Sequence, residues 1–234
     1  MIHFLGTSFA AVHLKEGARR GGLDITEDIN DASLIFVSED TPTDAEGHRD
    51  TQPIKKLIDQ AWNASLRPHA QPPIVLTSQV EPGFTRGLNI PIYHQAETLR
   101  IEDAMVRACF PEMFIVGTSA ASYPLHRAYR DYLEAFDCPI LTMTYEDAEF
   151  TKIAINAFLI SQVETTNLLA KHAAKSGASW QRIAKALRHD SRIGKYAYLS
   201  PGEWSGSKHL LRDFVTLKGI EDHKLLKAWR KEKP

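Results

Sequence analysis

The sequence predicts an α/β protein with a mainly parallel sheet, followed by an all-helical region. Over residues 1–145, short apolar runs alternate with helical patterns, as they do in strand-helix units that build a parallel sheet. From Tyr145 onward every pattern is helical. We therefore expect two domains, 1–145 and 146–234.

Composition and charge exclude several classes of protein. The 234 residues carry a formal net charge of −1, which does not indicate electrostatic binding to nucleic acid or to an acidic membrane surface. No signal-peptide pattern or membrane-length apolar run is present, so we expect a cytoplasmic protein. The ten histidines form no cluster with ligand spacing, and no metal site is predicted. We expect Cys109 and Cys138 to be buried free thiols.

The first strand and the first helix are predicted to meet at a glycine turn. Ile2–Leu5 has a strand pattern, Gly6-Thr7-Ser8 a turn pattern, and Ser8 can cap a helix over 10–18. A dinucleotide-binding fold places phosphate at such a turn, against the N–H groups of the helix N-terminus. Ser8 stands where the fingerprint G-x-G-x-x-G has its second glycine, so an ordinary strand-turn-helix is the alternative.

Apolar runs predict the remaining strands, and amphipathic patterns predict the helices between them. Polar loops follow two of these strands and contain Thr41 and Gln79. The runs lie at 32–37, 73–78, 114–117 and 138–143, and the helical patterns at 52–64 and 124–136.

Asp24 has two interpretations. It lies near the distance from Gly6 at which a dinucleotide-binding fold carries its ribose-binding carboxylate. If 23–25 is a surviving second strand, Asp24 holds the adenosine ribose. If 24–28 instead leads into the next strand, that carboxylate is missing.

A long helix over 148–176, closed by Gly177, begins the helical region. Glu149, Lys152 and Asn156 are spaced three and four residues apart and so share one helix face. An ammonium beside an amide suits a site where an oxygen gains negative charge during reaction. A solvated helix surface is the alternative.

Several stretches resemble one enzyme family. Residues 148–159 read A-E-F-T-K-I-A-I-N-A-F-L and resemble the helix A-E-x-x-K-x-x-x-N-A-F-L of the nucleotide-sugar 6-dehydrogenases, the UDP-glucose and GDP-mannose dehydrogenase family. Residues 31–44 resemble its segment D-A-D-x-I-F-x-x-V-x-T-P-x-D, and residues 74–85 its segment V-V-x-x-S-T-V-P-P-G-T-T. Residues 95–102 match N-P-E-F-L-R-E-G more weakly, with Glu97 and Arg100 on motif positions.

The resemblance implies a fold, a cofactor and a reaction. It implies a reduced Rossmann-like NAD-binding domain, shortened between the glycine turn and residue 31, and a homodimer through the 148–176 helix. The family oxidises a sugar primary alcohol twice with NAD. Lys152 would stabilise the alkoxide, Asn156 would orient it, and Asp213 with a water would accept the proton. Glu97 falls on a further catalytic position.

The chain departs from the family at catalytic positions. Gln79 replaces an active-site threonine, and Ile101 replaces a glutamate of the hydrolytic step. No cysteine stands at the nucleophile position, which is Lys208 or His209 depending on where the motif is anchored. A thiolate is needed there to hold the aldehyde between the two oxidations.

On the substrate side, residues 189–194 resemble the motif L-D-x-R-I-G, which contains Arg192. Residues 199–207 occupy the place of the loop N-P-G-x-G-F-G-G-S, which contains Gly202, Gly206 and Ser207. We expect no third, nucleotide-covering domain.

Two functions follow from these matches and departures. One is an NAD-dependent protein that catalyses at most a single alcohol-to-aldehyde hydride transfer on a nucleotide sugar. The other is a non-catalytic dimer that binds a nucleotide or nucleotide sugar, or acts as a scaffold. The retained Lys152, Asn156 and Asp213 favour the first, and the substitutions favour the second.

Overall fold

A computed structural model describes residues 1–44, 48–66, 71–202 and 213. The chain divides into two compact units, one of residues 1–44 and 49–152 and the other of residues 45–48 and 153–234. The described part of the first unit contains the sheet, and the described part of the second is helical. Residues 214–234 and most of the 199–207 loop lie outside the described residues.

The first unit is built on a six-stranded sheet in which the strands lie in chain order. Neighbouring strands are parallel except for the fourth and fifth, so the predicted α/β class with a mainly parallel sheet is confirmed. The segment that carries Glu97 and Arg100 is the loop that follows the fourth strand. The strands are β1 Ile2–Leu5, β2 Leu34–Val37, β3 Ile74–Leu76, β4 Tyr93–Ala96, β5 Phe114–Thr118 and β6 Ile140–Thr144.

Seven α-helices accompany the sheet in the described part of the chain. The long helix begins at Tyr145, three residues earlier than predicted, because β6 passes directly into it. The helices are α1 Phe9–Arg20, α2 Gln52–Ser65, α3 Phe84–Gly87, α4 Ala104–Cys109, α5 Arg127–Glu134, α6 Tyr145–Lys175 and α7 Trp180–His189.

The second strand of a full dinucleotide-binding unit is reduced to a single bridge. Ile25 pairs in parallel with Ile2. The Ile2 N–H donates to the Asp24 carbonyl at 2.7 Å, and the Ile2 carbonyl accepts from the Thr26 N–H at 2.9 Å. One residue of the expected strand therefore survives beside the start of β1.

The bridge and β2 lie on opposite sides of β1. β2 bonds the carbonyls of Met1 and Leu5, whereas the bridge bonds those groups of Ile2 that point the other way. After β1 the chain first runs to one side and then returns to the other. The chain connection therefore reverses direction between β1 and β2, which is the position where open α/β sheets bind ligands.

Apolar side chains cover both faces of the sheet. On β2, Leu34 and Phe36 face one cluster, which also contains Leu14 of α1 and Tyr129 of α5. The alternate residues Ile35 and Val37 face the other cluster, which contains α2. Burial on both faces explains why the strands read as continuous apolar runs. Cys109 and Cys138 are free thiols, but of intermediate exposure and not buried as predicted.

Helices α1 and α4 approach each other closely at Gly17. A Cβ atom at this position would lie 2.6 Å from the Ala108 carbonyl oxygen and 2.7 Å from the Ala108 carbonyl carbon. Because these are backbone atoms, the two helices would have to separate to admit even a methyl group.

We expect Gly17→Ala to lower the free energy of unfolding by about 1–3 kcal/mol, the usual cost of overpacking. Gly87→Ala is the matched control, because no atom lies within 4 Å of its added Cβ. Urea titration monitored by circular dichroism measures both variants. Equal midpoints for the two variants would contradict the described α1–α4 contact.

His94 is a buried titratable group within the sheet. It is paired with Leu76 of β3 and Gly117 of β5, and its side chain is almost inaccessible. Among the described residues no hydrogen-bond partner reaches its Nδ1. Burial lowers the pKa of His94 from 6.5 to about 4, so the folded protein keeps the ring neutral under conditions that protonate it in the unfolded chain.

Because the unfolded chain binds this proton first, stability should fall as the pH drops from 6.5 to about 4. The His94 contribution to that fall is about 3 kcal/mol. We expect His94→Gln to reduce the pH dependence in this window, measured by urea unfolding at several pH values. His172→Gln, at an exposed position of α6, should leave the wild-type slope unchanged. Parallel slopes for wild type and His94→Gln would refute this account.

Candidate cofactor and substrate sites

The parallel strands bring several predicted residues to one edge of the sheet. β1 to β4 run in the same direction, so the residues that follow them lie at a shared carboxyl edge. Gly6 and Glu97 directly follow β1 and β4, whereas Thr41 and Gln79 lie a few residues beyond β2 and β3. The buried Thr41 hydroxyl donates to the Gln79 carbonyl at 3.4 Å.

Gly6 has a backbone conformation that requires glycine. Its φ angle is 110°, and a Cβ atom there would lie 1.9 Å from the Ser38 carbonyl oxygen. The turn therefore presses directly against the end of β2. This close approach fixes the position of Thr7 and Ser8.

The carboxylate of Glu39 occupies this turn. Its Oε2 accepts from the Thr7 backbone N–H at 2.9 Å and from the Thr7 hydroxyl at 3.2 Å. Its Oε1 accepts from the Asp40 N–H at 3.0 Å, and the Glu39 N–H donates to Ser78 Oγ at 2.8 Å. A negatively charged group thus bridges the turn after β1 and the loop after β2.

Ser8 fills the turn from the helix side. Its buried Oγ accepts from the Ala11 N–H at 3.0 Å, so it caps α1 as predicted. The same hydroxyl donates to the Ser38 carbonyl at 3.0 Å. The side chain that replaces the second fingerprint glycine is therefore part of the packing between β1 and β2.

The turn does not fit the pyrophosphate of NAD as it stands. A pyrophosphate needs N–H donors and no competing anion at the turn, but the Thr7 N–H is bonded to a carboxylate. Glu39 was missed in the sequence analysis. The sequence could have revealed Glu39, because this residue stands in the 31–44 motif at a position where the family pattern has valine.

Asp24 lies at the opposite edge of the sheet from the turn. Its backbone pairs with Ile2, the first residue of β1, whereas Gly6 follows the last. With a rise of about 3.3 Å per residue, the two positions are roughly 13 Å apart along the strand. A single bridge cannot extend Asp24 to the carboxyl edge, so the structure does not support a role for Asp24 in binding ribose.

The Glu97 carboxylate forms a hydrogen bond within its own loop. Its carboxylate accepts from the N–H of Leu99, two residues further on, and so shapes the turn that follows β4. Its side chain is partly exposed. The contact gives Glu97 a structural role at the same edge as Gly6.

The first turns of α6 carry two charged groups with different surroundings. Glu149 is buried and accepts from the N–H groups of Gly83 at 2.6 Å and Thr85 at 2.8 Å. Burial raises the pKa of the Glu149 carboxyl. Lys152 lies on the next turn and is half-buried.

Asn156 and Asp213 form a buried polar pair in the helical unit. The Asn156 side-chain amide donates to Asp213 Oδ2, and the two residues are 8% and 1% exposed. The pair joins positions 57 residues apart in the chain. The solvated-surface interpretation is therefore wrong for Asn156.

The loop that contains Tyr198 and Gly202 is held against α6. Asn167 bonds both backbone groups of Gly202, at 2.8 Å to its carbonyl and 2.9 Å to its N–H. Thr166 donates to the Tyr198 carbonyl at 2.8 Å. Gly202 thus anchors the loop through its own backbone.

Of the remaining predicted substrate residues, the structure describes Arg192 alone. Arg192 is exposed and pairs with Asp190 at 2.7 Å, a contact between near neighbours in sequence. Gly206, Ser207, Lys208 and His209 lie outside the described residues.

A cavity of about 560 Å³ opens at the amino ends of β3 and β4, away from the predicted edge. Pro73, Ile92 and Tyr93 line it, together with Arg86, whose guanidinium lies 5.3 Å from the centre of the Tyr145 ring. The described lining includes no residue predicted to bind cofactor or substrate. In the described ranges, no three His, Cys, Asp or Glu residues are grouped to hold a metal ion, and no helix has the length and apolarity to cross a membrane.

Comparison with known proteins identifies relatives of both units. Residues 146–229 match the family model for the central domain of the UDP-glucose/GDP-mannose dehydrogenase family. The chain is 25% identical over 223 residues to UDP-glucose 6-dehydrogenase of Rickettsia bellii, covering 86% of this chain and 49% of that protein. It is 26% identical over 200 residues to UDP-glucose 6-dehydrogenase AglM of Haloferax volcanii, covering 77% and 46%. The chain thus spans about half the length of these relatives.

Solved structures show the same fold. UDP-glucose dehydrogenase from Pyrobaculum islandicum superposes with a TM-score of 0.73 at 19% identity, covering 94% of this chain and 63% of that one. Mycobacterium tuberculosis 3-hydroxyisobutyrate dehydrogenase superposes with a TM-score of 0.66 at 13% identity, covering 97% and 90%. The fold is therefore that of Rossmann-like dehydrogenases. Together with the motifs on α6, β2 and β3, these matches show that the chain is similar to the UDP-glucose/GDP-mannose dehydrogenase family, most directly over the central domain at residues 146–229.

Proposed function

We propose that this chain is a dimeric, non-catalytic relative of the nucleotide-sugar dehydrogenases that binds a nucleotide sugar through its helical unit. The observation that carries the proposal is the buried Asn156–Asp213 pair. Burying a carboxylate and an amide costs stability unless they are bonded to each other or to a ligand. The pair stands at the positions where the family resemblance places substrate-handling groups.

The chemistry of the pair suits a sugar. A carboxylate accepts hydrogen bonds from hydroxyl groups, and an amide both donates and accepts. These groups can bind a nucleotide sugar without performing chemistry on it.

A single hydride transfer is the second candidate function, and the half-buried Lys152 favours it. In that case Lys152 would stabilise the alkoxide and Asp213 would orient the water that accepts the proton. The function needs NAD, which would supply the hydride acceptor, and the Glu39 contact to Thr7 opposes its binding. We therefore rank it second.

Exposed apolar side chains on α6 support the dimer. Phe158 is 72% exposed, Leu168 57% and Leu169 44%. At 3.6 residues per turn they fall within an arc of about 100° on one helix face. Large apolar groups grouped on one face mark an interaction surface, and the homodimer implied by the family is the partner we propose.

Calorimetric titration tests the binding function. We expect wild type to bind UDP-glucose or GDP-mannose, and Asp213→Asn to weaken that binding at least about tenfold, because a charged hydrogen bond to the sugar is lost. Asp131→Asn, which removes an exposed carboxylate of α5, should bind as wild type does. Absence of heat with both nucleotide sugars at millimolar concentration would reject the proposal.

An NADH absorbance assay separates the two candidate functions. Wild type incubated with NAD and either nucleotide sugar should form no NADH, because the glycine turn already holds a carboxylate. Formation of NADH that Lys152→Ala abolishes would establish the hydride-transfer function in place of the non-catalytic one.

The dimer is tested by light scattering after gel filtration. We expect wild type to have the mass of a dimer and Phe158→Glu to have that of a monomer, because a carboxylate would be buried in the interface. Ile101→Glu is the control, since Ile101 is similarly exposed, at 78%, but lies outside α6. A monomeric wild type at micromolar concentration would exclude the proposed dimer.

A further inference from the structure

We infer that Glu39 excludes NAD from this protein by placing a fixed carboxylate where the dinucleotide phosphate would bind. The inference concerns the sheet unit and is independent of nucleotide-sugar binding by the helical unit. It identifies one side chain as the cause of the lost fit at the glycine turn.

Glu39 lies at the carboxyl edge of the parallel strands. It follows β2 directly after Ser38, at the reversal of the chain between β1 and β2. Open α/β sheets bind their ligands at this reversal. Glu39 therefore lies in the one crevice of the parallel sheet that a dinucleotide would enter.

The Glu39 carboxylate is held by hydrogen bonds. Both oxygens are bonded, one to the N–H and hydroxyl of Thr7 and the other to the Asp40 N–H. The backbone of Glu39 is itself fixed by the Ser78 hydroxyl. Each contact is one that a phosphate oxygen could make, so the carboxylate replaces the anion.

The charge of the Glu39 carboxylate opposes a second anion. The hydrogen bonds to the Glu39 carboxylate come from backbone N–H groups and a hydroxyl, and within the described part of the chain no Lys or Arg forms an ion pair with it. Its negative charge is therefore not cancelled by a cation. A pyrophosphate would have to approach this charge or displace the carboxylate from its three donors.

The family pattern has a different side chain at the position of Glu39. In the segment that resembles residues 31–44, valine stands at the position of Glu39. Valine has neither charge nor hydrogen-bonding capacity, and it leaves the Thr7 N–H open to a ligand. Glu39→Val thus restores the side chain of the family pattern and removes the carboxylate that contacts Thr7.

The experiment is a calorimetric titration of the full chain with NAD and, separately, with ADP-ribose. We expect wild type to give no binding at millimolar concentration, and Glu39→Val and Glu39→Gln to bind at least about tenfold more tightly, because a like charge is removed from the turn. Asp40→Asn is the matched control, since it removes the adjacent carboxylate, whose oxygens do not contact Thr7. It should behave as wild type does.

Two-dimensional NMR of the Thr7 amide provides a readout apart from affinity. In Glu39→Gln, NAD should shift this resonance, whereas wild type should show no shift. Glu39→Gln keeps the size of the side chain, so it serves if Glu39→Val is unstable in thermal unfolding.

The inference is overturned if wild type binds NAD as tightly as the Glu39 variants do. It is also overturned if the folded Glu39 variants, like wild type, show no binding of NAD in the titration, because another feature would then exclude the cofactor. Nucleotide-sugar binding, measured on the same samples, should be equal in wild type and both Glu39 variants. Its loss in all samples would reject the proposed function and leave the result on NAD standing.

Discussion

The hydrogen bond between the Thr7 N–H and the Glu39 carboxylate decides what the sheet unit can do. Everything around it positions the turn after β1 against the end of β2: the glycine at position 6, the Ser8 cap and the Ser78 contact. The shape of a nucleotide-binding crevice is kept, but the donors of the glycine turn are already bonded to the Glu39 carboxylate. The fold thus retains the crevice for a ligand, while the turn in that crevice carries a negatively charged carboxylate.

The helical unit shows a different balance. There the polar groups that the family uses for substrate remain, and Asn156 and Asp213 bond to each other in a buried setting. The proposed exclusion of the cofactor and the proposed binding of a nucleotide sugar are compatible, because they involve different units of the chain. Binding without turnover follows naturally from such a division.

Most of the fold was predictable because apolar periodicity and turn residues act locally. The runs at 32–37 and 73–78 read as buried strands, and Ser8 read as a cap, from neighbours in sequence alone. The residues at the site were less predictable. The placement of Asp24 depends on how far a shortened strand extends, and the role of Glu39 depends on a contact across 32 residues. A local sequence pattern reveals neither the extent of that strand nor the contact between Thr7 and Glu39.

The buried Glu149 also has an effect on its own helix. Its two oxygens hold the loop before α3, so the carboxylate one turn from Lys152 is directed away from that lysine. An acidic residue three positions earlier on a helix would ordinarily cancel much of a lysine's field. Here both Glu149 oxygens accept from backbone N–H groups, and none of the described contacts joins this carboxylate to Lys152. The nearest acidic residue on the helix therefore serves the adjoining segment of chain and does not hold the lysine in an ion pair.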